Sequence, residues 1–202
     1  MAYLILVRHG KSEWNNLGLW TGLTDVELAP EGFVEARKAG EAIKDIEIHC
    51  AHISMLKRTH QTFNEIKKSF NHDVASKAHE ALNERDYGIH TGKNKWQVKE
   101  EIGEVAFQQI RRGWNVPIQG GETLQNVHDR VVPYYETNIK PELASGKNVI
   151  VVAHGNTLRA LVKNIENISD VGIGDVEIGT GEVYCYQIDP LGAILSKEIR
   201  TS

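Results

Sequence analysis

The apolar positions of this chain fall into short continuous runs and helical stripes, and two of the runs end alike. Leu4–Val7 (LILV) leads into Arg8-His9-Gly10, and Val149–Ala153 (VIVVA) leads into His154-Gly155. Both runs are brief, unbroken by polar residues and rich in β-branched side chains. That is the pattern of parallel strands buried on both faces. Ligands bind at the carboxyl ends of the strands in an open parallel sheet. The repeated strand-His-Gly pattern therefore predicts two imidazoles at one edge of one sheet.

The first strand is expected over Tyr3–Val7, followed by a loop from Gly10 to Ala29. Pro30 suits the first position of a helix, and Phe33, Ala36, Ala39 and Ile43 recur at helical spacing. Ala29 stands at the N-cap, where Ser or Thr would contribute about 1 kcal/mol. A second strand is expected over Ile46–Ser54, a helix over Lys57–Phe70 and a short strand over Ala78–Leu82. Asp86–Gly121 reads as mixed loop and helix. A longer helix from Thr123 carries the stripe Leu124, Val127, Val131 and Tyr134 or Tyr135, with a kink expected at Pro133. Then come a strand at Asn148–Ala153 and a helix at Thr157–Ile165. Two closing strands, Val183–Ile188 and Ala193–Ile199, flank an Asp189-Pro190-Leu191-Gly192 turn. Strands alternating with helices predict an α/β fold, and the length predicts one domain over residues 1–202.

Composition narrows the function classes. Hydrophobic residues at 41% and charged residues at 25% fit an ordered globular chain rather than a disordered one. A net charge of −4 gives no basic footprint for nucleic acid or an anionic membrane, yet leaves room for a local cationic pocket. No apolar run approaches the ~18 residues of a membrane span. The opening MAYLILV is too short for a signal-peptide core. Cys50 and Cys185 suggest no disulfide framework, so a reducing cytoplasm is expected.

The chemistry-bearing residues gather at the two strand ends. A neutral imidazole can attack phosphorus and carry the phosphoryl group covalently, provided its other nitrogen is protonated and hydrogen-bonded. Charge on the transferring group calls for cationic donors around it. Arg8 beside His9 offers a forked contact, Gly10 allows close backbone approach, and Ser12 and Asn15 add neutral donors. His154-Gly155-Asn156 is a strand-to-helix turn whose free N–H groups favour an anion. There His154 can donate to phosphoryl oxygens and Asn156 can position substrate. A lone strand-end histidine is ordinarily solvated or packed. Arg8, Ser12 and the second histidine shift the reading of His9 to phosphoryl chemistry. His49-Cys50-Ala51-His52 invites a metal reading, but a strand would point His49 and His52 to opposite faces, so no metal site is expected. His60, His72, His79, His90 and His128 read as surface or structural.

The segments LVRHGKSEWN, TGLTDVELAPEG, LKRTHQT, LNERDYGIHTGKNK, IRRGW, GGETL, VVAHGNTLRAL and IGTGEVYCYQID occur in order over nearly the whole chain. This resembles the cofactor-dependent phosphoglycerate mutases of the histidine phosphatase superfamily. The RHG and HG motifs alone indicate the superfamily. Asn83-Glu84-Arg85-x-Tyr87-Gly88, Asn94-Lys95 and Arg111-Arg112 are more specific to the mutase branch. The resemblance implies a three-layer fold with a mostly parallel central sheet flanked by helices. It implies that His9 carries the phosphoryl group, that Arg8, Arg58 and His154 stabilise its transition state, and that Glu84 moves the substrate proton. Ser12, Asn15, Thr21, Gly22, Gly155 and Asn156 would line the site. Tyr87, Lys95, Arg111 and Arg112 would secure the substrate's carboxylate and second phosphate. It further implies 2,3-bisphosphoglycerate as primer, small phosphoglycerates as partners, no metal, and a cytoplasmic place in glycolysis and gluconeogenesis. A homo-oligomer is left open.

The chain is similar to the short form of that family. It passes almost directly from Trp114-Asn115-Val116-Pro117 to Gly120-Gly121-Glu122, and it stops soon after its last expected strand. Leu23 stands where an aromatic residue is more usual. A more open site would let water compete for the phosphorylated histidine. Two rival readings follow: a phosphomonoester phosphatase using the same His9, and a non-catalytic phospho-ligand sensor. Arg111, Arg112 and Asn94-Lys95 argue against the first, since simple phosphatases need fewer fixed anion contacts. The presence of both His9 and Glu84 argues against the second.

Overall fold

The computed structural model describes residues 1–200; Thr201 and Ser202, the end of the expected domain, lie outside the described residues. Its strands are β1 (Ala2–Arg8), β2 (Cys50–Ile53), β3 (Ser76–Ala78), β4 (Val149–Ala153), β5 (Val183–Ile188) and β6 (Ile194–Arg200). They form one sheet in the order β3-β2-β4-β1-β5-β6. The first four positions in that order pair in parallel, while β5 pairs antiparallel with both β1 and β6.

The unbroken apolar runs exist because both sheet faces are covered. Leu4 and Leu6 of β1, with Val149, Val151 and Ala153 of β4, pack against α6 (Leu124–Tyr134), α7 (Lys140–Ala144) and α8 (Gly155–Ile165). The alternate residues Ile5, Val7, Ile150 and Val152 pack against α2 (Pro30–Ala42) and α3 (Lys57–Ile66). This is the expected three-layer arrangement. A smaller apolar cluster of Trp20, Tyr87, Val98, Phe107 and Ile118 lies apart from both faces. It is built around α4 (Lys95–Ile102) and α5 (Glu104–Arg112), with the short α1 (Glu13–Asn16) earlier in the chain.

Several boundaries differ from expectation. The strand expected at Ala78–Leu82 lies earlier, at Ser76–Ala78, and its three residues are all exposed. Glu80–Leu82 instead forms a 3-10 turn capped by the His79 side chain, which accepts from Ala81 N. Parallel pairing with β2, rather than apolar content, decides where this edge strand runs. Helix α2 begins at Pro30 with Ala29 giving no side-chain cap. Helix α6 runs through Pro133, and the irregularity falls after it, as a wide π turn over Tyr135–Ile139. Helix α8 starts two residues before expectation, directly after His154.

Candidate active site

Parallel register sets Arg8 of β1 beside Ala153 of β4, so the next residues, His9 and His154, leave the sheet side by side. The His9 amide donates to the Ala153 carbonyl at 3.0 Å. The two rings stand edge to face, with centroids 5.0 Å apart. His9 Nδ1 lies 2.7 Å from the Gly10 carbonyl. A carbonyl only accepts, so Nδ1 carries the proton and Nε2 keeps its lone pair. Burial, reinforced by the charges of Arg58 and Arg8, holds His9 well below the ordinary histidine range, so the ring is neutral.

His154 is fixed differently. Arg58 Nε can only donate, and it lies 3.2 Å from His154 Nδ1. His154 Nε2–H therefore donates to Ser54 Oγ, 2.7 Å away. Burial and the neighbouring Arg58 charge keep this ring neutral too. The Arg58 Nη atoms donate to the Gly22 and Thr24 carbonyls, each at 2.9 Å, and burial lowers its pKa to about 10. In this arrangement both nitrogens of His154 are already engaged, whereas Arg58 uses three of its five N–H donors and keeps one on each Nη. Contact between His154 and a phosphoryl group requires one of its bonds to be exchanged. His9 itself is only 3% exposed.

A cavity opens beside this pair, lined by Arg8, Trp20, Glu84, Tyr87, Lys95, Arg111, Arg112, Gly155, Asn156, Arg159, Glu177 and Ile178. Thus Arg8, Glu84, Tyr87, Lys95, Arg111, Arg112, Gly155 and Asn156, drawn from separate segments, do meet at one place. Arg8 Nε and Trp20 Nε1 are buried there without a hydrogen-bond partner, as is Thr21 Oγ1 nearby in sequence. Unpaired buried donors are costly unless a ligand or water meets them. The Lys95 ammonium stands 5.9 Å over the Trp20 ring. Burial, with Arg111 and Arg8 adding repulsion, lowers its pKa to about 8.

Glu84 is held by one oxygen. Its Oε1 accepts from Arg85 N at 2.9 Å and from Asn156 N and Nδ2, each at 3.2 Å. One of the free N–H groups at the start of α8, that of Asn156, meets the protein's own carboxylate rather than the external anion these groups are expected to favour. Asn156 Nδ2 also donates to Tyr87 Oη at 2.7 Å. Arg85 is fully buried, donating to the Glu122 and Ile110 carbonyls, and so ties the α5 segment to Glu84.

His9, Arg58, His154, Thr21 and Gly22 are not among the residues lining the cavity, and neither are Ser12 and Asn15. Ser12 and Asn15 bond to each other as the capping box of α1, with Ser12 Oγ donating to Asn15 Oδ1 at 2.9 Å. Gly10 does permit a close approach, but of backbone: a side chain there would collide with the Gly32 carbonyl on α2. Gly22, at φ +52°, supplies the carbonyl that Arg58 grips.

Of the residues lining the cavity, sequence reasoning missed Trp20, Arg159, Glu177 and Ile178. Arg159 donates to Asn156 Oδ1 at 3.0 Å and to the Val176, Arg112 and Ile173 carbonyls. Its spacing of three from Asn156, one helical turn, was the available signal. Glu177 pairs with Arg112 at 2.8 Å from a loop that carries no pattern. On β2, the neighbour of β4, Cys50 and His52 share a strand face. Both donate to Glu142 Oε2, at 3.1 and 2.8 Å, while Lys77 takes Oε1. His49 stands apart from this group, its Nδ1 accepting from Asn148 N.

The chain is similar to known proteins over nearly its whole length. The profile of the histidine phosphatase superfamily (branch 1) matches residues 4–197, and the chain belongs to that superfamily. It is 43% identical to a protein of Cytophaga hutchinsonii named 2,3-bisphosphoglycerate-dependent phosphoglycerate mutase, covering 93% of this chain and 88% of the relative. A protein of the same name from Parvibaculum lavamentivorans is 39% identical, with 97% and 95% covered. Among solved structures, a mycobacterial glucosyl-3-phosphoglycerate phosphatase superposes with a TM-score of 0.85 at 20% identity, covering 100% of this chain and 99% of that one. That last likeness is one of fold.

Proposed function

We propose that this protein interconverts 3-phosphoglycerate and 2-phosphoglycerate through a phosphoryl group carried on His9 Nε2. The observation that carries the reading is the tautomer of His9: its proton is held on Nδ1 by the Gly10 carbonyl, in a ring kept neutral by burial and two arginines. The names of the relatives support the substrate. The resident primer would be 2,3-bisphosphoglycerate, which supplies the phosphoryl group that loads His9. The site fits such a polyanion: Arg8 Nε and Trp20 Nε1 await acceptors, and Lys95, Arg111 and Arg112 line the same wall.

In the proposed cycle, phosphorylated His9 gives its phosphoryl group to the free hydroxyl of the bound monophosphate. The P–N bond breaks as the P–O bond forms, and Nε2 regains its lone pair. Glu84 accepts the hydroxyl proton on Oε2, the oxygen left free by Asn156 and Arg85. In the second half-reaction His9 takes the other phosphoryl group and Glu84 returns the proton. Arg8 and Arg58 offset charge on the equatorial oxygens.

The deciding assay supplies 3-phosphoglycerate with and without trace 2,3-bisphosphoglycerate and follows both 2-phosphoglycerate and free phosphate. We expect primer-dependent 2-phosphoglycerate, an acid-labile phosphoryl label on His9, and loss of both in His9→Ala. Phosphate release alone would make the protein a phosphatase. No turnover and no label would make it a sensor.

A further inference from the structure

We infer that Glu177 is a built-in competitor for the cavity's outer arginines, a stand-in anion that the distal anionic group of a substrate must displace. The inference rests on the cavity being the phosphoglycerate site. Glu177 Oε2 lies 2.8 Å from Arg112 Nη2, and Oε1 lies 3.9 Å from Arg111 Nη2. These are two cations that a phosphoglycerate carboxylate or second phosphate would need. Against burial, the Arg112 hydrogen bond and the two guanidinium charges hold the Glu177 carboxyl below its usual range, so it is ionised at neutral pH.

Its backbone and side chain are held very differently. Three consecutive carbonyls are anchored: Val176 by Arg159 Nε at 3.0 Å, Glu177 by Tyr184 Oη at 3.1 Å and Ile178 by Arg8 Nη1 at 2.6 Å. The Cα of Glu177 is therefore fixed at the rim by groups that include two cavity-lining arginines. The side chain, by contrast, is 61% exposed. It can leave the arginines by side-chain rotation alone, with no loop movement. Glu84, the other carboxylate lining the cavity, is tied down by Asn156 and Arg85 and has no such freedom.

The consequence is a threshold. An incoming anion gains its contacts with Arg111 and Arg112 less the contact that Glu177 gives up. A weak monoanion such as chloride gains little over the carboxylate it replaces, whereas a substrate that also engages Arg8 and Lys95 pays the same toll from a larger total. Glu177 thereby keeps the arginine pair from being held by ordinary anions.

The test is Glu177→Gln, which keeps the size and a neutral hydrogen-bonding group. An exposed pair of this kind corresponds to a change of about two- to fivefold. KM for 3-phosphoglycerate should fall by that factor, and inhibition by chloride should tighten equally. Glu177→Asp, one methylene shorter, should fall between. An unchanged or raised KM would overturn the inference and make Glu177 a brace for the arginines. Titration with inorganic phosphate, read by tryptophan fluorescence through Trp20, separates the two readings. Tighter phosphate binding by Glu177→Gln in a protein that does not turn over 3-phosphoglycerate would refute the proposed function and keep the competitor. Equal phosphate affinity in an active mutase would do the reverse.

Discussion

Burial brings the ionisation of Lys95 close to neutrality. Burial and the neighbouring Arg111 and Arg8 lower its pKa to about 8, so it is charged below that pH and neutral above it. A cation that contacts a polyanionic substrate is lost on the alkaline side. Since kcat/KM reports ionisations of the free enzyme, it should fall as pH rises through about 8. In Lys95→Arg the guanidinium stays charged, and that limb should move up by more than one pH unit. A limb that stays in place would assign the ionisation elsewhere. His9 is depressed well below the usual histidine range, so it remains an unprotonated nucleophile as pH falls from 7 to 6. At this scale most of the cavity's lining was legible in the sequence. The strand-His-Gly echo placed His9 and His154 together because a parallel register does so directly. Arg159 offered only its one-turn spacing from Asn156 and Glu177 offered nothing, because a buried guanidinium serving carbonyls and an exposed loop carboxylate look like any surface residues when written out in a line.

The loop carrying His9 is seated by helix α2, and that contact is backbone on backbone. A Cβ on Gly32 would strike the Lys11 carbonyl, and one on Gly10 would strike Gly32. Neither obstacle is a flexible side-chain end, so the chain itself must shift. Gly32→Ala should destabilise by about 2–3 kcal/mol and should also lower kcat, because Lys11 and Gly10 lead directly into His9. Gly174→Ala meets nothing within 4 Å and should stay within about 0.5 kcal/mol of the parent. Urea denaturation of both variants checks the pair; equal midpoints would refute the seating argument. The same contact explains one limit of sequence reading. Gly10 was legible as a place of close approach, but what approaches it depends on how α2 crosses the loop. Strands β1 and β4 were readable because burial on both faces leaves an unbroken apolar run. Strand β3 was not, because an exposed edge of three residues has no apolar signature. The α4–α5 segment was read only as mixed, since its apolar side meets a small separate cluster rather than the sheet.

The whole molecule and its cavity carry opposite charge, and this makes the salt dependence a test of sign. The chain has a net charge of −4. Five cationic side chains line the cavity, Arg8, Lys95, Arg111, Arg112 and Arg159, against two carboxylates, Glu84 and Glu177. If the net charge governed encounter with a polyanion, screening would relieve repulsion and kcat/KM would rise with ionic strength. The screening length is about 8 Å at physiological salt, so most of the acidic surface is already muted there. The cations, concentrated in a concave low-dielectric wall, act at the range where a substrate enters. We therefore expect kcat/KM at pH 7 to fall by about three- to tenfold between roughly 20 and 300 mM salt. Potassium chloride is the appropriate salt, because chloride gains little over the Glu177 carboxylate it would have to replace and leaves screening as the main effect. Arg111→Gln should flatten the slope, while neutralising the distant, exposed Glu47 should leave it unchanged. A rise of kcat/KM with salt would mean that the acidic body, and not the cationic wall, sets the rate at which substrate arrives.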